Sequence, residues 1–301
     1  SMWFAVDLAA DTELSAVLTF SHLAGDLELR LFAGGDLGEA VADSTSASDR
    51  ERVGRAPGAG EALLLEVYGY RGAGGAFTLT AHRLPTAGRV PTQASGRVTF
   101  GDKGFDPEGF TGAVAEQAAE HLVVQVRRVF DDAPVAEALT DADGRFTAEW
   151  AADAEQAYVV EARAQVRVDG MFAQVADRER PAAVYALSSE PFTVDAVPAL
   201  ALHAAADAPI GGALHVAHTL GEGLAFIAPF VEGAERVTVR WQAGQPYPCG
   251  SCYSNDQISL GGQLEDPDEY DDAIILHELG HWFVDHFSDD ELRKIVQVTM
   301  D

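Results

Sequence analysis

The sequence predicts a multidomain chain, with two all-β sandwiches over residues 1–84 and 96–196 followed by an α+β domain over 205–301. Three observations carry that expectation. Short runs of alternating apolar and polar residues, broken by turns, fill the chain to about residue 196, a period-2 pattern that suits half-buried strands. Between the two β-rich units, Leu84 to Ser95 holds Pro85 and Pro91 among Thr, Gly, Ala and Gln and reads as a linker. Beyond Ala205 the apolar spacing becomes that of a helix. At 301 residues, 47% of them hydrophobic, the chain can bury two or three cores.

In the first unit, strands are expected at Trp3–Leu8, Ser15–Phe20, Leu27–Phe32, Ala62–Tyr68 and Phe77–Ala81, with Gly-Asp and Gly-Ala turns between them. No catalytic cluster is visible there. In the second unit, Gly96–Phe100, Leu122–Val126, Ala157–Ala162 and Phe192–Val194 read as strands. Thr140-Asp141-Ala142-Asp143-Gly144-Arg145-Phe146 fits a turn feeding a strand, with Gly144 free to take positive φ. Two aspartates beside a glycine also suit Ca²⁺, but the remaining ligands of an EF-hand loop are missing, so the turn is preferred.

The third unit opens with a helix over Gly212–Phe226, whose apolar residues Leu214, Ala217, Leu220 and Leu224 keep helical spacing. His215 and His218 lie three apart on it; a metal is one reading, and an ordinary helix surface is the preferred one. His22, His82, His121 and His203 stand alone. A strand follows at Val237–Trp241, then a loop holding the only cysteines, Cys249 and Cys252. Their two-residue spacing among Gly, Pro, Ser and Asn favours a short disulfide bracing the loop, with free thiols as the alternative. A disulfide implies an oxidising compartment.

The most informative motif is His277-Glu278-Leu279-Gly280-His281, the H-E-x-x-H pattern of helical zinc sites. Four residues of α-helix advance about 6 Å and turn about 40° past a full revolution, so both imidazoles can grip one Zn²⁺ from adjacent turns. Glu278 sits beside that face, where a carboxylate can take a proton from an attacking water. The lead-in fits a helix start, with Asp268 as cap and Glu269, Asp271 and Asp272 favouring the positive helix end. Gly280 costs the helix roughly 1 kcal/mol relative to Ala, which suggests close packing against that face. Asp285, four residues after His281, lies on the same stripe and suits an acceptor that orients an imidazole.

Composition bounds the partners. Twenty basic and 48 acidic residues give a net charge of −28, which argues against nucleic acid or an anionic membrane. Only Lys103 and Lys294 are lysines, and with abundant Ala and Gly the chain reads as high-GC bacterial coding. No run approaches the roughly 20 apolar residues of a membrane helix. Ser1-Met2 resembles a cloning remnant, so a removed leader is expected. A monomer is expected as well.

Three resemblances add to this reading. Trp3–Leu8, Gly25–Leu29, Leu65–Tyr70 and Phe77–Thr80 together resemble the bacterial pre-peptidase C-terminal domain, which implies a jelly-roll-like sandwich, secretion and sometimes calcium. Gly96-Arg97-Val98 and the Asp143–Phe146 turn resemble the transthyretin-like, carboxypeptidase-regulatory sandwiches. Residues 205–301 resemble the N-terminal half of zincin-type endopeptidases, and that resemblance implies the protein or peptide substrate expected here.

Within that clan, glycine and histidine of the metzincin pattern are replaced by Val284 and Phe287. His277–Asp285 is instead similar to the H-E-x-x-H-x-x-x-D form of thermolysin-like gluzincins. The likeness implies that Ile258, Ser259, Leu260 and Gly261 form an edge strand that pairs with substrate. It also implies a third ligand, a glutamate on a later helix. His286, nine residues after His277, would point away from the metal on a continuing helix. Glu291 fits better in a Ser288–Glu291 capping box, and Asp301 falls in the expected window without a helix beyond it. Either the ligand lies further along the natural chain or the domain is degenerate. The expected function is a secreted bacterial zinc endopeptidase; the alternative is a non-catalytic binding or adhesion protein retaining the helix.

Overall fold

The computed structural model describes residues 1–20, 27–34, 37–44, 50–106, 109–179, 183–231 and 235–287. His22, Gly25, Asp26, the Ser288–Glu291 capping box and Asp301 lie outside the described residues. Strand dominates, as the alternation requires.

The first unit forms two facing sheets. One has the order β1 (Met2–Leu8), β6 (Glu61–Gly69), β3 (Leu27–Ala33), β4 (Ala42–Ser44); the other has β5 (Arg50–Arg55), β2 (Thr12–Phe20), β7 (Phe77–Pro85). Inward positions alternate: Val6 and Leu8, then Leu14, Ala16 and Leu18, then Leu27, Leu29 and Leu31, with Leu63, Leu65 and Val67, close one apolar core. This period-2 face is what buries the pair of sheets.

The linker is shorter than expected. β7 runs through Pro85 and β8 (Val90–Asp106) begins five residues later, with Pro91 to Ser95 paired to β12 (Arg145–Ala152). Pro91 is tolerated because β8 has a second neighbour only from Gly96 onward, so its missing N–H falls on an unpaired side. Thr86 is itself tied back, its N–H donating to the Asp11 carbonyl at 2.9 Å. At this junction the buried Arg128 donates to Asp131 of its own unit at 2.6 Å and reaches across to Glu13 at 2.9 Å, and Arg89 donates to the same Glu13 at 2.8 Å.

The rest of the described chain shares one core. A four-stranded sheet of β12, β8 and β16 (Leu200–Ala204), with β9 (Gly109–Ala118) also on β8, faces a larger sheet. That larger sheet runs β11 (Pro134–Leu139), β10 (Leu122–Arg128), β13 (Tyr158–Val168), β14 (Met171–Asp177), β17 (Arg236–Trp241), β19 (Gln257–Ser259), β18 (Cys252–Ser254), with β15 (Ala186–Ser188) on β13. The expected boundary between residues 196 and 205 is therefore crossed: β14 of the second unit pairs in parallel with β17 of the third, from Phe172↔Arg236 to Asp177↔Trp241. A single cluster extends from Ala94 to Trp282. Phe192 makes only an isolated bridge to Tyr158, not a full strand.

Two helices complete the body. α1 (Pro209–Ile227) opens on a proline, whose absent N–H costs nothing in a first turn, and buries Ala213, Leu214, Val216, Ala217 and Leu220 against the sheets. α2 (Asp272–Phe287) packs on α1 and on the β18–β19 end of the large sheet. Gly144 holds φ +74° and passes so near the Val98 carbonyl that a Cβ would lie 2.3 Å from it, which explains the glycine in the turn. In that turn the Asp141 carboxylate accepts the N–H groups of Asp143 at 3.0 Å and Arg145 at 2.8 Å, the geometry of a self-capped turn.

Candidate metal-binding helix and its surroundings

The start of α2 differs from expectation. Asp271, not Asp268, caps it, accepting N–H of Ala273 at 2.9 Å and of Ile274 at 3.2 Å through Oδ1. Asp268 instead occupies a short 3₁₀ turn, buried, where it accepts the Ser251 hydroxyl at 2.6 Å. Asp272 then fastens the first turn to α1, taking the Thr219 hydroxyl at 2.7 Å. His215 Nε2 stands 3.7 Å from the same carboxylate and 2.9 Å from Asp102. His215 is buried, so the helix-surface reading of this residue is corrected; α1 is covered by sheet on that side.

One turn further along, the motif histidines converge. His277 Nε2 and His281 Nε2 are 3.2 Å apart, with the rings nearly perpendicular at 81°. Two nitrogens each about 2.0–2.1 Å from a tetrahedral ion stand about 3.3 Å apart, so the spacing fits two ligands of one zinc. His277 is exposed and His281 half-buried, leaving the pair accessible. Among the described residues, no group of three His, Cys, Asp or Glu side chains converges as a metal site.

Glu278 is buried. Burial raises its pKa, the charges of His281 and His277 and a hydrogen bond from the Tyr253 main-chain N–H oppose the rise, and the net direction is upward. Its neighbours Asp268 and Glu269 are pushed up as well, first by burial, against hydrogen bonds from Ser251 and Trp241 respectively.

The substrate-strand expectation needs correction. Ile258 and Ser259 lie in β19, which pairs with β17 on one side (Val239↔Ile258, Arg240↔Ser259) and with β18 on the other (Cys252↔Ser259, Tyr253↔Ile258). Leu260 N–H donates to Arg240 and Gly261 N–H to the Ser251 hydroxyl, so these amides are also engaged. A two-residue turn, Asn255-Asp256, with φ values of 50° and 63°, folds β18 back over β19 and makes β18 the edge. Asn255-Asp256 was the available signal for this hairpin, and Tyr253 and Ser251 the residues it would have brought into view.

Asp285 accepts the Tyr253 hydroxyl at 2.9 Å. His286 points away from the histidine pair, as expected, and meets Asp256 of the hairpin turn at 2.5 Å. Cys249 and Cys252 are joined by a disulfide at the base of this hairpin. Gly280 has nothing within 4 Å of its Cβ direction, so close packing is not its reason; the glycine that admits a neighbour is Gly223 of α1, where a Cβ would lie 2.4 Å from Leu279 Cδ2.

No protein family model and no curated protein matches the chain. Among the described residues, no helix is long and apolar enough to cross a membrane.

Proposed function

We propose that the chain carries the metal-binding half of a zincin-type, zinc-dependent endopeptidase that acts outside the cell. The observation that supports this best is the 3.2 Å approach of His277 Nε2 and His281 Nε2 beside a buried Glu278. Residues 205–301, with the resemblance of His277–Asp285 to the gluzincin motif, lend the clan. The Cys249–Cys252 disulfide agrees with secretion, since such bonds persist in oxidising compartments.

In this reading His277 and His281 hold Zn²⁺, which when bound polarises a carbonyl as a Lewis acid. Glu278 accepts a proton from the attacking water at its carboxylate and returns it to the nitrogen of the leaving amine. The sandwich over 1–84 is accessory.

The alternative, a non-catalytic secreted binding or adhesion protein, is favoured by the lack of a third converging donor among the described residues. Titration with zinc and cleavage of denatured casein, by the wild type and by Glu278→Gln, separate the two. Cleavage that needs both zinc and Glu278 supports the peptidase. Zinc binding without turnover supports the alternative, and no zinc binding overturns both.

A further inference from the structure

Tyr253 touches α2 twice. Its main-chain N–H donates to Glu278 and its hydroxyl donates to Asp285 at 2.9 Å. Glu278 and Asp285 are seven residues apart, two turns on one helix stripe, so they are separated by about 10 Å along the axis. One tyrosine therefore lies lengthwise along the helix, its backbone at the first carboxylate and its phenol at the second, spanning the turn that carries His281.

The register explains why that N–H points at α2 and not into the sheet. In an antiparallel hairpin closed by a two-residue turn, the residues flanking the turn exchange both hydrogen bonds, and those one step further out exchange none. Ser254↔Gln257 flank the turn, so Tyr253↔Ile258 is the non-bonded pair and the Tyr253 N–H projects from the edge of the sheet. That edge faces α2.

Three further ties hold the hairpin at this height. Asp256 at its tip meets His286 at 2.5 Å, Ser251 at its base is held by Asp268 at 2.6 Å, and the disulfide pins Cys252, the neighbour of Tyr253. The two contacts of Tyr253 fall on the carboxylate proposed as the base and on a carboxylate with no part in the proton exchange.

We infer that Tyr253 is a positioning residue for Glu278, aiming the carboxylate through its main-chain N–H and kept in register by its phenol on Asp285. This rests on the peptidase reading of the site. The phenol itself is not part of the proton exchange.

The test combines hydrogen exchange with kinetics on the full chain, using Tyr253→Phe, Asp285→Ala and the double variant. The residue-253 amide should be protected in the wild type. It should lose protection in all three variants and in Glu278→Ala, while amides of the β18–β19 ladder stay protected.

With zinc present, each single variant should lower kcat by about 10- to 100-fold with KM little changed and zinc affinity intact. The double variant should be no worse than either single one, because all three remove the same contact. An unprotected 253 amide in the wild type overturns the proposal, as does full kcat in the single variants or additive loss in the double. If the amide is protected but the wild type cleaves nothing with zinc bound, the peptidase reading fails and the proposal falls with it.

Discussion

Two sets of carboxylates drawn out of water in this molecule have pKa values shifted in opposite directions. At the junction with the first sandwich, desolvation raises Glu13 and Asp131, yet the hydrogen bonds and charge of Arg128, joined at Glu13 by Arg89, carry both below the usual carboxylate range. Around α2, desolvation raises Asp268, Glu269 and Glu278, and the opposing contacts are too weak to reverse it. The difference is composition. Between Gln242 and Phe287 there are nine carboxylates and no Lys or Arg. A guanidinium turns a buried carboxylate into a fixed anion that joins two units; its absence leaves one able to exchange a proton.

The largest effect that would sharpen this contrast is kinetic. Glu278→Gln should lower zinc-dependent peptide cleavage by about 10²- to 10⁴-fold, the usual weight of a general acid–base group, while zinc still binds; a zinc titration beside a cleavage assay reads both. At the junction the corresponding loss is in stability. Arg128→Met leaves Asp131 buried without its partner and should cost about 3–5 kcal/mol in urea unfolding, whereas Arg128→Met with Asp131→Leu should recover most of it. Equal costs for the single and double variants would show that the orphaned Asp131 charge is not the source of the loss.

Acid should separate the regions by sign. Glu13 and Asp131 have folded pKa values below their ordinary 4.5 and 3.8, so their stabilisation is complete above those values and is lost as pH falls through the lower folded ones. Glu278, Glu269 and Asp268 have raised folded values, so the folded state gains stability as pH falls from neutral through them towards 4.5 and 3.8. Hydrogen exchange across an acid series should show α2 tightening before the junction loosens. Loosening of both together breaks the comparison.

The smallest effects concern the two glycines. Gly280→Ala meets open space and should stabilise α2 by about 1 kcal/mol, while Gly223→Ala must push aside the Cδ2 atoms of Leu279 and Leu276 and should gain less than that or nothing. Thermal melts of both variants check the pair.

Much of the architecture was legible because burial follows period. The strands at Trp3–Leu8, Leu27–Phe32, Ala62–Tyr68, Leu122–Val126 and Val237–Trp241 all lie in sheets, and Ala62–Tyr68 and Val237–Trp241 alternate in burial residue by residue. The helix bearing His277 and His281 was legible from spacing, since four residues on one helix must bring two side chains together. Less legible was anything set by contacts distant in sequence. Proline suggested a linker at Pro91, but only pairing with β12 reveals an unpaired side that tolerates it. Sequence gave His215 no partner nearby, and the partner it has, Asp102, is more than a hundred residues away. Asp285 has the right spacing to serve His281, but nothing near it in sequence shows that a hairpin folds over the helix and brings it the Tyr253 hydroxyl. Gly280 and Gly223 are alike as letters and differ only in what lies opposite.

The measurement that bears most directly on the account is zinc stoichiometry at neutral pH for the wild type, His277→Ala and His281→Ala, with circular dichroism to confirm that each is folded. One zinc per wild-type chain is expected, and none retained by either folded variant, because each variant loses one of the two nitrogens that stand 3.2 Å apart. A wild type that takes up no zinc, or variants that bind it as well as the wild type, would contradict it.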